Sequence, residues 1–432
     1  MITADENERL TRVGPGTEMG GLLRRYWHAI AGAAEMHGVT TKRVRLLGED
    51  LVLYRDRSGA LGLIAEFCPH RRASLAYGIP DADGIRCPYH GWKFDGSGAC
   101  LDMPNEPAGS TFKDRVTTAG YPVRELGGML FAYLGPLPAP VLPELDGLVV
   151  PGTIRMIGKT LVPCNWLQIM ENSLDPVHTE WLHGHLQEWV EEQRDGIKPK
   201  YAISRHHVDI AFAECEYGIF KRRLMEGQSE DSDDWRVGHP VIFPSTLAVG
   251  SAGGWFRNYA FQIRTPIDDT HTMHYWYTAY APPAGANVPR HLLDEVPVFD
   301  VPCIKPDGDF QLDLLDAQDV MAWVTQGPIA KRDLEKLAWT DRGVILLRKI
   351  LARELENVAA GRDPMGVIRD PAKARIDIPV EHGKDMFSDG FASLVRRMQV
   401  RYYPYVDELL DVFATANPKP AVKELVSAAT RP

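Results

Sequence analysis

The 432 residues predict an α+β protein in two parts, an all-β beginning and a larger portion of long strands followed by helices. Short β-branched and apolar runs broken by turn residues fill the chain from Lys42 onward. Longer strand-like runs occupy the middle, and helical periodicity takes over toward the C-terminus.

In order, residues 17–31 read as a short amphipathic helix with Leu22, Leu23, Tyr26 and Trp27 on its apolar side. Runs 44–47, 51–54 and 61–65 are strand candidates, with Asp56-Arg57-Ser58-Gly59 as a hairpin turn. Asp81-Ala82-Asp83-Gly84 and Asp95-Gly96-Ser97-Gly98 punctuate the chain further, as a small all-β domain requires. Pro138, Pro140, Pro143 and Pro151 crowd a segment of weak periodicity, which sets the expected boundary between domains 1–150 and 151–432. Beyond it, 209–220, 258–264 and 274–280 read as strands, the last two joined through Pro266-Ile267-Asp268-Asp269. Helical patterns follow over 312–325, 340–358 (ending near Gly361) and 391–414.

A formal net charge of -10 argues against nucleic acid as a partner. No apolar run is long enough to span a bilayer, and the acidic, polar start does not read as a targeting peptide, so the expected compartment is the cytoplasm. Six cysteines in such a chain do not make a disulfide framework. Cys100, Cys164, Cys215 and Cys303 read as small buried hydrophobes.

The other two cysteines have histidines at short offsets. Cys68-Pro69-His70 is followed, after sixteen intervening residues, by Cys87-Pro88-Tyr89-His90-Gly91-Trp92. Two thiolates and two imidazoles on two loops can hold a [2Fe–2S] cluster, with the cysteines on one iron and the histidines on the other. A structural zinc ion is the competing occupant, although such sites more commonly pair like ligands at each end. The prolines stiffen the loops and Gly91 permits a tight turn.

A second constellation lies in the stretch from Asn165 to His183, where Asp175 precedes His178 by three residues and His183 follows five later. A helical turn sets Asp175 and His178 on one face, and a local distortion would bring His183 round to the same metal. Two imidazoles and one carboxylate form a facial triad with open coordination positions. Asp307, Asp309, Asp313, Asp316 and Asp319 are all candidates for the carboxylate. Asp175 before Pro176 also suits a helix N-cap.

Together these motifs resemble the large (alpha) subunit of the Rieske non-haem iron aromatic ring-hydroxylating oxygenases, and within it the phthalate dioxygenase-like group. The likeness extends to Val44-Arg45-Leu46-Leu47-Gly48-Glu49-Asp50-Leu51, Arg71-Arg72-Ala73-Ser74-Leu75, Gly91-Trp92-Lys93-Phe94-Asp95, Gln326-Gly327-Pro328-Ile329 and Asp341-Arg342-Gly343. It implies an N-terminal all-β Rieske [2Fe–2S] domain and a C-terminal antiparallel-sheet helix-grip catalytic domain. By resemblance, Cys68, His70, Cys87 and His90 hold the cluster. His178, His183 and Asp319 hold a mononuclear Fe(II), with Asp316 in reserve for Asp319.

The resemblance also implies that Asp175 is catalytic, bridging an iron-bound histidine to the cluster histidine of a neighbouring subunit, His90 before His70. That geometry goes with a homo-oligomer, a trimer or stacked trimers. A separate flavin and iron–sulfur, NAD(P)H-dependent reductase supplies electrons, and O₂ is the co-substrate. The implied reaction is mono- or dihydroxylation of an aromatic carboxylate. O- or N-dealkylation is the alternative, and a pure electron carrier or a zinc-stabilised binding protein are the rivals from other classes. A substrate carboxylate would want an arginine, for which Arg205, Arg236 and Arg264 are candidates. Val177 stands where phthalate-using relatives are expected to carry serine, which disfavours phthalate itself. His206 and His207 lie either in the pocket or on an exposed strand.

Overall fold

The computed structural model describes residues 2–252, 257–379, 381–382 and 391–414. Three small antiparallel sheets make up its beginning. Thr41–Leu46, Glu49–Arg55 and Leu61–Ala65 form a meander extended by Gly120–Tyr121. At its first hairpin, Asp56 Oδ1 accepts hydrogen bonds from the Ser58 and Ala60 amides at 2.8 and 2.9 Å, the self-capping that suits Asp to turns. A second sheet, Ile79–Asp81, Gly84–Arg86, Lys93–Phe94 and Cys100–Asp102, carries one of the Cys/His loops. The third joins Trp27–Gly32, Met129–Tyr133 and Val123–Leu126.

That third sheet corrects the helix expected over 17–31. The helix is only Glu18–Leu23, started by the Thr17 side chain, which accepts from the Gly20 amide. Gly20 and Gly21 weaken it, and the residues beyond are stabilised instead by pairing with Met129–Tyr133. Buried His28 ties the two pieces together, its Nε2 2.8 Å from the Leu23 carbonyl oxygen.

A ten-stranded sheet dominates the rest. Its centre is the hairpin Arg257–Pro266 and Thr272–Ala281, flanked by Ile154–Val162. The single strand expected over 209–220 is instead a hairpin, His207–Cys215 and Gly218–Met225. Side-chain alternation continues through both arms, so a two-residue turn leaves little trace in the pattern. Gly218 was the available signal: a Cβ there would lie 1.9 Å from the Val241 carbonyl oxygen. The helix expected over 391–414 is also broken, into Phe391–Arg397, a 3₁₀ turn Gln399–Tyr402, and Val406–Ala414. Pro404 lacks a donor and holds Tyr403 extended. Helices Leu315–Val324 and Arg342–Ala359 form close to their expected places.

One apolar cluster runs through both halves, joining Leu22, Leu46 and Leu51 to Trp166, Met170, Ile350 and Leu351. Within the proline-rich stretch, Glu144–Leu145 pairs in parallel with Arg375–Ile376. Cys100, Cys164 and Cys303 are buried, whereas Cys215 is only partly so, a small departure from expectation. Among the described residues no helix is long and apolar enough to cross a membrane.

Candidate metal centres

The two Cys/His loops share one backbone design. The Cys68 amide donates to the Ala73 carbonyl and the Arg72 amide to the Cys68 carbonyl, both at 2.9 Å. The Cys87 amide likewise donates to Trp92 and the Gly91 amide to Cys87, at 2.8 and 2.9 Å. The residue four after each cysteine is left-handed, Arg72 at φ 61 and Gly91 at φ 74. Only the second loop uses the residue type that adopts this conformation freely.

Cys68 and Cys87 are buried beneath the loops, while His70 lies exposed above them, its ring stacked on Trp92 and 4.5 Å from that of His90. Burial, with the Cys87 thiol beside it, pushes the Cys68 thiol up to about 11. His90 Nδ1 is buried and has no hydrogen-bond partner. Two apposed thiols and an unsatisfied imidazole nitrogen suit a metal cluster that takes thiolates and neutral imidazoles.

The second site is built on helix Trp166–Ser173, capped by Asn165, whose side chain accepts from the Leu167 amide. After Pro176 the chain enters a π-helical run, Thr179–His185, that continues into helix Leu186–Asp195. The i→i+5 bonding of a π turn is the distortion that five-residue ligand spacing needed. It places His178 and His183 beside Asp319 of helix Leu315–Val324, with one ligand atom from each within 4.8 Å of the others. Asp316 faces away, its carboxylate accepting from the Gln399 amide at 2.6 Å.

Hydrogen bonds set both imidazoles. His178 Nδ1–H donates to the Asp175 main-chain carbonyl at 2.5 Å, and His183 Nδ1–H donates to Gln318 Oε1 at 3.1 Å. Both Nε2 lone pairs then turn to Asp319 Oδ1, at 3.7 and 3.2 Å, and that buried oxygen accepts no well-directed hydrogen bond. Three acceptor atoms converging out of water repel one another unless a cation joins them, so these residues fit a metal ion.

Burial drives His178 down to about 4 and Asp316 up to about 7. It would also raise Asp319, but His183, His178 and Arg264 outweigh it and hold that carboxylate below its usual range.

The basic candidates separate clearly. Arg205 binds the Ala202 carbonyl from the surface, and Arg236 is exposed beside Asp233. Arg264 is 0% exposed, and among the described residues it pairs with no carboxylate. Its Nη2 donates to Gln262 Oε1 at 2.6 Å, and Nε has no partner. Burial lowers its guanidinium to about 9, with Asp319 the opposing influence. Opposite it in strand register is His274, fully buried, both ring nitrogens unpartnered, packed against Trp276 and Trp323. The sequence reading passed over His274, although strand alternation marked it as sharing the Trp276 face. His206 is exposed and His207 buried, and both reach Glu180 of the π run. Gln318 and Gln187 were also missed, because amide partners leave no spacing signature.

Two family models match the chain: the Rieske [2Fe-2S] domain over residues 26–121 and the Vanillate O-demethylase oxygenase C-terminal domain over 162–292. The 5,5'-dehydrodivanillate O-demethylase oxygenase subunit of Sphingobium sp. (strain NBRC 103272 / SYK-6) is 39% identical, covering 91% of this chain and 90% of its own. The phthalate 4,5-dioxygenase oxygenase subunit of Pseudomonas putida is 31% identical, covering 87% and 91%. Among solved structures, NdmA of Pseudomonas putida CBB5 superposes with a TM-score of 0.59 at 17% identity over 85% of this chain and 100% of that one, a likeness of fold. The chain therefore belongs to the Rieske non-haem iron oxygenases, as an oxygenase subunit related to that of phthalate 4,5-dioxygenase, and is an oxidoreductase using a Rieske [2Fe–2S] cluster and a mononuclear iron.

Proposed function

We propose that this oxygenase acts on an aromatic carboxylate, gripped through its anionic end by Arg264 and His274. The supporting observation is a buried cation without a carboxylate partner, opposite an unpartnered imidazole and within electrostatic reach of Asp319. A buried guanidinium is costly unless paired, and an incoming carboxylate supplies the pair through charge-assisted hydrogen bonds. Ring hydroxylation and O-demethylation both fit this grip. The 39% identity to an O-demethylase subunit favours an aryl methyl ether on the same acid.

In this reading Cys68, His70, Cys87 and His90 hold the cluster, and His178, His183 and Asp319 hold the iron. When bound, the cluster supplies one-electron transfer and the iron supplies open positions for dioxygen. The protein's own residues orient these groups. The Asp175 carbonyl and Gln318 fix the two imidazoles, and Trp276 and Trp323 wall the buried side. Asp175 Oδ1 accepts from the Val177 and His178 amides at 2.9 and 3.3 Å, while its side chain stays 31% exposed. That exposed edge is where we assign the cluster histidine of a neighbouring copy, in a head-to-tail ring such as a trimer. The electron donor is a separate flavin and iron–sulfur reductase. Cys100, Cys164, Cys215 and Cys303, the four cysteines outside the cluster, form no disulfide, which suits a reducing compartment, the cytoplasm.

A reductase-coupled screen of aromatic acids and aryl ethers, following oxygen uptake and product mass, tests the substrate. Arg264→Met should raise KM for acids about 10–100-fold, the worth of a charge-assisted hydrogen bond, and leave neutral analogues unchanged. Equal effects on both would remove the carboxylate grip. His178→Ala should cut turnover by at least about a thousandfold while cluster absorbance stays intact; turnover that survives would refute the iron assignment.

A further inference from the structure

His183 stands at the end of a buried chain of polar contacts that the family reading does not use. Its Nδ1–H meets Gln318 Oε1 at 3.1 Å. Gln318 Nε2 donates to Gln187 Oε1 at 2.7 Å and to the Leu312 carbonyl at 2.8 Å. Gln187 Nε2 donates to Glu191 Oε1 at 2.7 Å. Glu191 in turn takes two hydrogen bonds from Arg397, Nε at 2.7 Å and Nη2 at 3.1 Å, and another from the Tyr201 hydroxyl. Gln187 and Gln318 are both 0% exposed.

Chemistry fixes the direction of every link. A main-chain carbonyl and a carboxylate can only accept, so Leu312 forces the Gln318 amide nitrogen away from His183, and Glu191 forces the Gln187 nitrogen toward itself. Gln318 then shows His183 an oxygen and nothing else, and the imidazole proton is committed to Nδ1. Gln187 and Glu191 lie one turn apart on Leu186–Asp195, Gln318 sits on Leu315–Val324, and Arg397 closes Phe391–Arg397. Three helices therefore contribute to the state of one ring.

We propose that Gln187 and Gln318 form a directional amide relay through which the buried Glu191–Arg397 ion pair orients His183 and holds its Nε2 as the free, metal-facing nitrogen. These are positioning residues, and their role rests on the reading of His183 as an iron ligand. A carboxylate bonded directly to a metal-binding histidine fixes its tautomer and raises its basicity. Here two neutral amides extend that influence inward, which keeps a second negative charge away from Asp319.

The test is Co(II) titration of the mononuclear site in cluster-loaded, anaerobic protein, with cluster absorbance as the folding control. Gln318→Leu should weaken Co(II) binding about 10–100-fold. Gln187→Leu, which does not touch His183, should weaken it about tenfold, and the double variant should bind no more weakly than Gln318→Leu within about twofold, as coupled partners do. Gln187→Leu binding like the unaltered protein overturns the relay. In unaltered protein loaded with Zn(II) at this site, ¹⁵N-histidine spectra should show the His183 proton on Nδ1 and the metal on Nε2. Metal bound through Nδ1 overturns the relay whether or not the variants fold. If the unaltered protein takes up no Co(II) at this site, the iron assignment fails and the relay's role with it.

Discussion

The two candidate metal sites are assembled in opposite ways. The Cys/His loops take four side chains from two turns between residues 68 and 90, with the thiols buried and His70 in solvent. At the other site His183 and Asp319 are 136 positions apart on separate helices and both buried. A local site depends on turn geometry, and a non-local one on whatever holds its helices together. Perturbations should therefore separate the two.

The largest expected effect is at Glu171, buried in the helix that leads to Asp175 and His178. Its carboxylate is shared by Arg332 and Arg348, with contacts of 2.8 and 2.7 Å. Glu171→Gln leaves the buried Arg332 guanidinium without its carboxylate, while Arg348 keeps Glu335, and should cost about 3–5 kcal/mol in denaturant unfolding. Co(II) affinity should fall with it while cluster absorbance persists below the unfolding transition. Simultaneous loss of both centres would break the contrast.

The next effect is acid lability at the junction of helix and sheet. Burial lowers His28 from 6.5 to about 4, so the unfolded chain binds the extra proton between those values. Stability should be complete above pH 6.5 and decline on acidification toward pH 4, by up to about 3 kcal/mol. His28→Gln should flatten that part of a thermal-melt pH profile, and an unchanged slope would assign acid lability elsewhere.

The smallest effect is on the cluster side. Gly91 has φ 74, and a Cβ there would lie 2.8 Å from Pro104 Cγ. Gly91→Ala should cost about 1–2 kcal/mol and speed cluster loss while leaving Co(II) affinity unchanged. Arg72→Gly, at the matching position of the other loop, should not speed it. Faster cluster loss from Arg72→Gly would mean that the Arg72 side chain, and not only its left-handed backbone, holds that loop.

This contrast also explains what could be read from the amino-acid order. Cysteines and histidines at fixed local offsets identify a candidate cluster without any knowledge of the rest of the fold. His178 and His183 were visible as a pair, but which of five aspartates joins them depends on helix packing, and only family resemblance singled out Asp319. The α+β class and the main strands followed from periodicity and turns. The hairpin at Glu216-Tyr217 and the strand at Trp27 did not, because pairing partners far away decided them. Pro404 was a readable stop that longer apolar periodicity obscured. Nothing local distinguishes Arg264 from a surface arginine, or Gln318 from an ordinary helical amide. Their surroundings are supplied by other parts of the chain.

The π-helical run Thr179–His185 also constrains how this protein can change in length. The wide winding absorbs one extra residue: with every residue kept and ordinary helical winding, everything downstream would turn by about 100°. Gln187 and Glu191 would swing off the face they now share with Gln318, and His183 would leave His178. One further residue added between His178 and His183 would be the same phase error at two places at once, whereas the same insertion in an exposed hairpin tip would pass almost unnoticed.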